Sequence, residues 1–307
     1  MSSSSNSPTA LAGYTAFITG GSRGIGRSIA LKLAKHGANV VLAAKTSEPH
    51  PKLAGTIHTV ADEVRAAGGK ALAVQCDVRF EDSVQAAIDA AVKEFGGIDF
   101  VVNNAGAIHI APIEHVSVKR LDLMIGINNR AVAVVTHLAL PHLKASAKAG
   151  RHPHVLNMSP PIRLEPKWLT GTAAYSMTKF GMTILSLGFA EELRDDKIAV
   201  NSLWPRTTIK TAALDMLLGE QDSEAHGRTP EIMADAAFEI LSTPNQQLTG
   251  RTVLDEEILR ERGVTDFGSY AATPGNLDLW ADFYVDGYGE GAIPAWAPDM
   301  TSGKKSS

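Results

Sequence analysis

Cys76 is the only cysteine in 307 residues, so no disulfide can form within the chain, and the disulfide-stapled secreted class is excluded. Charge of one sign is not in excess: 29 Lys and Arg stand against 33 Asp and Glu, a net of −4. That balance argues against a general nucleic-acid binder. No unbroken apolar run of about 18 residues occurs, so no membrane span is expected. The opening M-S-S-S-S-N-S-P-T lacks both a basic and an apolar signal region, and is expected to be a disordered leader over 1–12. The closing T-S-G-K-K-S-S does not match the peroxisomal S-K-L address and is expected to be a tail over 291–307. A cytoplasmic location is the resulting expectation.

What is present is an ordinary globular balance, with 44% hydrophobic and 20% charged residues. Short β-branched runs alternate with amphipathic stretches. The runs lie at 14–19, 38–44, 71–76, 98–103, 154–158, 198–203 and 252–254. Helical patterns occupy 25–36, 57–67, 82–95, 118–148, 172–194, 211–218 and 230–242. Short apolar strands alternating with helices predict a buried parallel sheet. With right-handed crossovers this is a doubly wound sheet of the Rossmann type, about seven strands with helices on both faces. No Pro, Gly or Ser linker divides the pattern, so one domain is expected over 13–290.

The first strand runs into T-G-G-S-R-G-I-G (19–26). Glycines permit close backbone approach to a pyrophosphate, and the helix opening there presents free N–H groups to the anion. Gly20, Ser22, Arg23, Gly24, Ile25 and Gly26 are the candidate contacts. An enzyme that selects NAD carries an acidic residue about 20 positions on, at the end of strand two. Here that place holds Ala44, Lys45 and Thr46. Lys45 and the forked guanidinium of Arg23 both suit the 2′-phosphate of NADP(H), so NADP(H) is expected ahead of NAD(H).

Tyr175 and Lys179, in Y-S-M-T-K, are four residues apart on one expected helix and face the same way. A neighbouring ammonium stabilises a phenolate and lowers a tyrosine from its usual value near 10. Such a tyrosine exchanges a proton with a carbonyl or alcohol oxygen while hydride moves separately to or from a nicotinamide.

The spacing G-x3-G-x-G after Thr19, with Asp77-Val78, N-N-A-G (103–106), Y-S-M-T-K and P-R-T-T (205–208), resembles the short-chain dehydrogenase/reductase family over about 14–254. Further runs, including A-A-K-T-S-E-P-H-P-K-L (43–53), L-N-M-S-P-P (156–161) and D-F-Y-V-D (282–286), resemble its hydroxysteroid dehydrogenase-like protein 2 branch. The resemblance implies that Asp77 and Val78 meet the adenine and that Asn104, Ala105 and Gly106 line the cofactor. It also implies that Pro205, Thr207 and Thr208 contact its carboxamide end, and that Lys179 holds the nicotinamide ribose. Asn128, beside Asn129 in I-G-I-N-N-R, is the implied anchor of a water relay. The carbonyl-polarising serine falls on Ser159. The usual S-x12-Y spacing lands instead on Ile162, which a three-residue insertion in the S-P-P loop reconciles, and Thr170 or Thr172 could substitute. A sterol-carrier-like domain often follows in that branch and is not expected here. Its members are often peroxisomal.

The expected activity is carbonyl–alcohol interconversion on an apolar small molecule. Ile108, Ile110, Trp168, Leu169, Leu214, Met216 and Leu217 are placed on loops above the strand ends. A cofactor-binding sensor or scaffold without turnover is the alternative. A homodimer or homotetramer is expected, with Ala131, Val134, Val135, Leu138, Ile184 and Leu187 as the apolar stripe. No metal site is expected. His152 and His154 read as a solvated loop, Cys76 as core packing, and 114–120 and 257–262 as surface helix.

Overall fold

A computed structural model describes residues 10–51, 53–276 and 278–286. Seven strands, β1 (Thr15–Thr19), β2 (Asn39–Ala44), β3 (Lys70–Gln75), β4 (Phe100–Asn103), β5 (His154–Met158), β6 (Ala199–Trp204) and β7 (Thr252–Leu254), form one sheet in the order 3-2-1-4-5-6-7. Every pairing is parallel, with Ile18 opposite both Leu42 and Val102. The expected strands are all present to within two residues.

The helices are α1 (Gly24–Lys35), α2 (Ile57–Ala66), α3 (Glu81–Phe95), α4 (Val118–Met124), α5 (Ala131–Lys148), α6 (Pro166–Leu169), α7 (Ala173–Glu192), α8 (Ala212–Leu218), α9 (Glu220–His226), α10 (Glu231–Ser242) and α11 (Asp255–Glu261). Alternation along the strands builds two cores. Ile18, Leu42, Val102 and Leu156 pack with α1, α2 and α10. Their neighbours Phe17, Val41, Val101 and Val155 pack with α3 and α5 on the other face. Local chemistry fixes the ends: Thr56 caps α2 by accepting from Thr59 N, and α3 stops at Gly96 with φ +84°.

The chain order reverses between β1 and β4. This is the switch point at which open α/β sheets leave a crevice outside the strand ends. A third apolar cluster fills the space above the ends of β5 and β6: Met124, Trp168, Tyr175, Phe180, Trp204, Leu254, Phe283, Tyr284 and Val285. Its last members come from a C-terminal segment without regular structure. That segment folds back along the turn after β6, where Thr208 N donates to Trp280 O, Asp282 N to Arg206 O and Trp204 Nε1 to Phe283 O.

Several expectations are corrected. His154 is not in a solvated loop; it lies inside β5, fully buried, with Nε2 against Thr243 O at 2.8 Å. Leu11, assigned to the leader, packs in the core, and its N–H donates to His36 O. Residues 1–9 of the leader and the tail lie outside the described residues. The helix near 257–262 is half core, because Ile258 and Leu259 are buried. The short helices α6 and α9 were not foreseen. Val118–Lys148 is one 31-residue helical run, with a π-helical segment (Ile125–Arg130) between α4 and α5. By length and composition alone it could cross a membrane. Its Ala131, Val132, Val135, Ala139 and Leu143 are buried on the sheet, as in a core helix.

Candidate active site

The glycine turn is clasped from the next strand over. Asn104 Nδ2 donates to Thr19 O at 3.0 Å and Gly20 O at 3.1 Å, and Thr19 Oγ1 accepts from the N–H groups of Asn104 and Ala105. A Cβ on Gly26 would lie 2.5 Å from that amide and 2.6 Å from Gly20 O, so only glycine lets α1 come this close. Gly20 and Gly24 have φ of +69° and +53°. Asn104 therefore spends its side chain on shaping the turn, leaving Ala105 and exposed Gly106 to line the crevice.

The residues present fit a dinucleotide. The N-terminus of α1 has no side-chain cap and no acidic residue in its first turn, so its free N–H groups remain available to a phosphate. Ser22 is buried in the turn and Ile25 packs beneath it on the core. Arg23 donates through Nε to Ala54 O and through Nη2 to Gly55 O, which leaves three of its five N–H donors. Lys45 is exposed at the end of β2. Asp77 is held by Arg79 in a two-pronged pair, which keeps its carboxyl below the usual range, and Val78 is buried beside it. Pro205 is buried in the turn after β6. Thr208 donates its hydroxyl to His226 O, whereas the buried Thr207 Oγ1 has no partner among the described residues. An orphaned hydroxyl there suits a carboxamide.

Tyr175 and Lys179 lie one turn apart on α7, both buried. The Tyr175 hydroxyl makes no hydrogen bond among the described residues. Its ring meets Phe283 at 6.4 Å between centroids. Lys179 Nζ donates to Met158 O at 2.5 Å and lies 5.0 Å over the Trp204 ring. Burial pulls Lys179 down to about 7, with Asp282 opposing. Burial first, then the nearby Tyr284 and Asp282, pushes the Tyr175 phenol well above its ordinary value. This corrects the expected lowering. A lysine that loses its proton near 7 carries no charge by the pH at which the phenol ionises, so burial decides.

Asn128 sits in the π-helical segment. Its amide accepts from Ala107 N and donates to Ala107 O and Thr178 Oγ1, each at 2.9 Å. Asn129 donates instead to Thr178 O, against Gly181, where a Cβ would fall 2.3 Å from its amide. The two asparagines thus pin the loop after β4 and the π segment to α7. Ser159 directly follows the end of β5, as expected. Its hydroxyl donates to Ser202 Oγ on β6 at 2.9 Å, and the next residue is Pro160. The substitutes are committed too: Thr170 Oγ1 to Pro166 O, and Thr172 Oγ1 to Trp168 O. Ile162 is partly exposed on the loop beyond.

Of the expected apolar loop residues, Ile108, Ile110, Trp168 and Leu169 join the cluster around Tyr175. Leu214 is buried elsewhere, and Met216 and Leu217 are exposed outside that cluster. Sequence reasoning missed the contribution of Asp282, Phe283 and Tyr284. Tyr284 is fully buried, and its hydroxyl lies 2.8 Å from Ser176 Oγ. The only signal was D-F-Y-V-D, a dense aromatic run after a polar stretch.

A parallel sheet wound on both faces, a glycine turn at its switch point and a Tyr–Lys pair above β5 and β6 define a nicotinamide-dinucleotide oxidoreductase fold. The family model for short chain dehydrogenase matches residues 14–220, and the chain belongs to that family. The hydroxysteroid dehydrogenase-like protein 2 of Danio rerio is 50% identical over 92% of the chain and 66% of its own length. The chain thus spans less than two thirds of this curated relative, as it does of the Xenopus tropicalis counterpart, 64%. A crystal structure of a short chain dehydrogenase from Mycobacterium thermoresistibile is 51% identical, over 94% of this chain and 99% of that one, with a TM-score of 0.84. A metagenomic short-chain oxidoreductase in complex with NADP is 29% identical over 80% of this chain and 97% of its own, TM-score 0.65. An NADH-dependent reductase complexed with NAD is 26% identical over 81% and 97%, TM-score 0.67. Solved neighbours therefore bind either dinucleotide.

Proposed function

We propose that the protein interconverts a carbonyl and a secondary alcohol on an apolar small molecule, using NADP(H), with Tyr175 as the acid and base. The observation that carries this reading is the Tyr175 hydroxyl. It has no partner among the described residues and stands in an apolar cluster above the strand ends, while the hydroxyls of Ser159, Thr170 and Thr172 are all engaged.

The bound nicotinamide supplies or accepts the hydride. Tyr175 gives its proton to the carbonyl oxygen as that oxygen gains charge, or takes it from the alcohol in the reverse direction. A phenol held above its ordinary value stays protonated at neutral pH, the form reduction needs. Lys179 is carried to the same place by the helical repeat, and it holds the ribose. Asn128 keeps the loop after β4 at the right height. Ile108, Ile110, Trp168 and Leu169 remove water from the substrate's apolar body. Lys45 and the spare donors of Arg23 receive the 2′-phosphate, and no carboxylate at the end of β2 opposes it.

A second reading, cofactor binding without turnover, is favoured by the commitment of Ser159 to Ser202. Stopped-flow oxidation of NADPH against a panel of apolar ketones separates the two. Turnover with any member supports the enzyme, and tight NADPH binding with no turnover supports the sensor.

The chain also forms at least a dimer in this reading, through α5 and α7. Ile184 and Leu187 are exposed, and Val134 and Leu138 are partly so. Ala131 and Val135, expected in the same stripe, are buried on the chain's own sheet. Light scattering at micromolar concentration tests this, a monomer mass counting against it.

A further inference from the structure

We propose that Tyr284 sets the length limit of the substrate: its side chain is the wall between the Tyr175 site and a cleft that a longer apolar tail would otherwise enter. This rests on the reading of Tyr175 as the acid and base. It narrows the substrate to carbonyl compounds whose apolar body ends at that wall.

Tyr284 is tied to the turn of α7 that carries Tyr175. Its hydroxyl lies 2.8 Å from Oγ of Ser176, the next residue along that helix. Its ring meets Phe180 edge-on at 4.8 Å between centroids and Phe283 at 5.7 Å. The Phe283 ring in turn meets Tyr175 at 6.4 Å. Trp168 and Trp204 each lie 6.2 Å from the Tyr284 ring, and Trp204 is the ring beneath the Lys179 ammonium.

Beyond Tyr284 is a cleft of about 350 Å³, to whose lining Tyr284 itself contributes. That volume is within the range of small-molecule sites. Its apolar surface also comes from Pro161 and Ile162 in the loop after β5, Leu254 at the end of β7 and Val285. Tyr284, Leu254 and Val285 belong at once to the cleft and to the cluster around Tyr175, and Tyr284 is the largest of the three. The arginines of the cleft are matched within the chain. Arg163 pairs with Asp286 at 3.1 Å, and Arg206 lies 3.9 Å from Glu256. A neutral alkyl tail therefore suits the cleft better than an ionised group.

The backbone shows that this wall is imposed. Tyr284 has a φ of +67°, in the left-handed region that a bulky side chain avoids unless its surroundings force it. They do so from both sides. Before it, Trp204 Nε1 donates to Phe283 O at 2.9 Å. After it, Asp286 pairs with Lys167 at 2.6 Å as well as with Arg163. An aromatic ring is thus held where glycine would suit the chain better, so replacing it by glycine removes the wall and leaves the backbone at ease.

Straight-chain methyl ketones from butanone to dodecanone read the limit, as kcat/KM with NADPH. In wild type this should rise with chain length and then fall off at the wall. Tyr284→Gly, its folding checked by circular dichroism, should carry the rise on through longer ketones, by about fourfold for each methylene newly buried. Ile162→Trp fills the cleft from the exposed loop. It should cancel that gain in the double variant and leave the wild-type limit where it is. Calorimetry on the NADP⁺ complex, which cannot reduce a ketone, should rank the affinities in the same order. An unmoved limit in folded Tyr284→Gly overturns the proposal, as does a gain that survives Ile162→Trp. If Tyr284→Gly does not fold, Tyr284→Leu keeps an apolar filler of smaller reach and should show a smaller shift in the same direction. Longer ketones that bind Tyr284→Gly more tightly than wild type, while neither protein turns over, support the wall and sink the catalytic reading instead.

Discussion

Ser159 at the end of β5 gives its hydroxyl proton to Ser202 on the neighbouring β6, 2.9 Å away and out of solvent. A hydroxyl has one proton to donate, and this one is committed to a cross-strand bond. Ser159→Ala should therefore behave as the loss of one buried hydrogen bond, costing about 1 kcal/mol by chemical denaturation. Its turnover should stay within about tenfold of wild type. A loss of ~10²–10³-fold, typical of removing an oxyanion-type donor, would return Ser159 to the carbonyl.

Tyr175→Phe removes a hydroxyl with no partner among the described residues and keeps the ring that packs on Phe283. Folding and NADPH binding should be preserved, the latter read by cofactor fluorescence. Turnover should fall by the ~10²–10⁴-fold of a lost general acid. Retention of more than about a tenth of the wild-type rate removes Tyr175 from the mechanism.

The sheet and the glycine turn were legible because their chemistry is local. Ile18, Val102 and Leu156 alternate with Phe17, Val101 and Val155, and a period of two predicts strands whatever lies far away in sequence. Tyr175 and Lys179 were legible for the same reason, the helical repeat bringing i and i+4 together. What was not legible depends on long-range placement. The Lys179 ammonium meets Met158 O and the Trp204 ring, and no spacing rule reports the burial that overturns the expected lowering of Tyr175. Asn104 looked like a cofactor contact, and its clasp on Thr19 and Gly20 emerges only when β4 lies beside β1. His154 opened the run 154–158 yet, read with His152, looked polar enough for a loop, and the parallel register with Phe100 and Ala199 places it inside the sheet.

Lys45 offers the cleanest test of cofactor choice, because its side chain is exposed, so substitution disturbs little else. Lys45→Asp places a carboxylate where the 2′-phosphate is expected. kcat/KM for NADPH should fall ~10–10³-fold relative to NADH, the worth of one or two charge-assisted bonds. Arg23→Ala should add to the effect while also freeing the carbonyls of Ala54 and Gly55, so it is read second. A wild-type enzyme that favours NADH in kcat/KM overturns the reading of this strand end.

His154 gives the fold an acid-sensitive point. Its Nε2 proton is donated to Thr243 O, while Nδ1 is buried with no partner among the described residues, so the imidazolium would bring a second proton with nothing to accept it. Burial, the dominant cause, pulls the group from 6.5 to about 4, with the Thr243 carbonyl opposing and His152 assisting. The unfolded chain therefore binds the proton at higher pH than the folded one. The stabilising contribution is fully present above about 6.5 and is lost as pH falls through about 4. Its size is about 3 kcal/mol. Asp255 and Asp282, raised to about 7 and about 8, slope the other way, contributing most at low pH and losing it as pH rises through those values. Comparison with His154→Gln isolates the histidine, because a glutamine amide can still donate to Thr243 O but does not titrate. Urea unfolding from pH 7 to 4 should show wild type losing about 3 kcal/mol more than the variant over that range. Parallel curves for the two proteins would mean that His154 is not the group that senses acid.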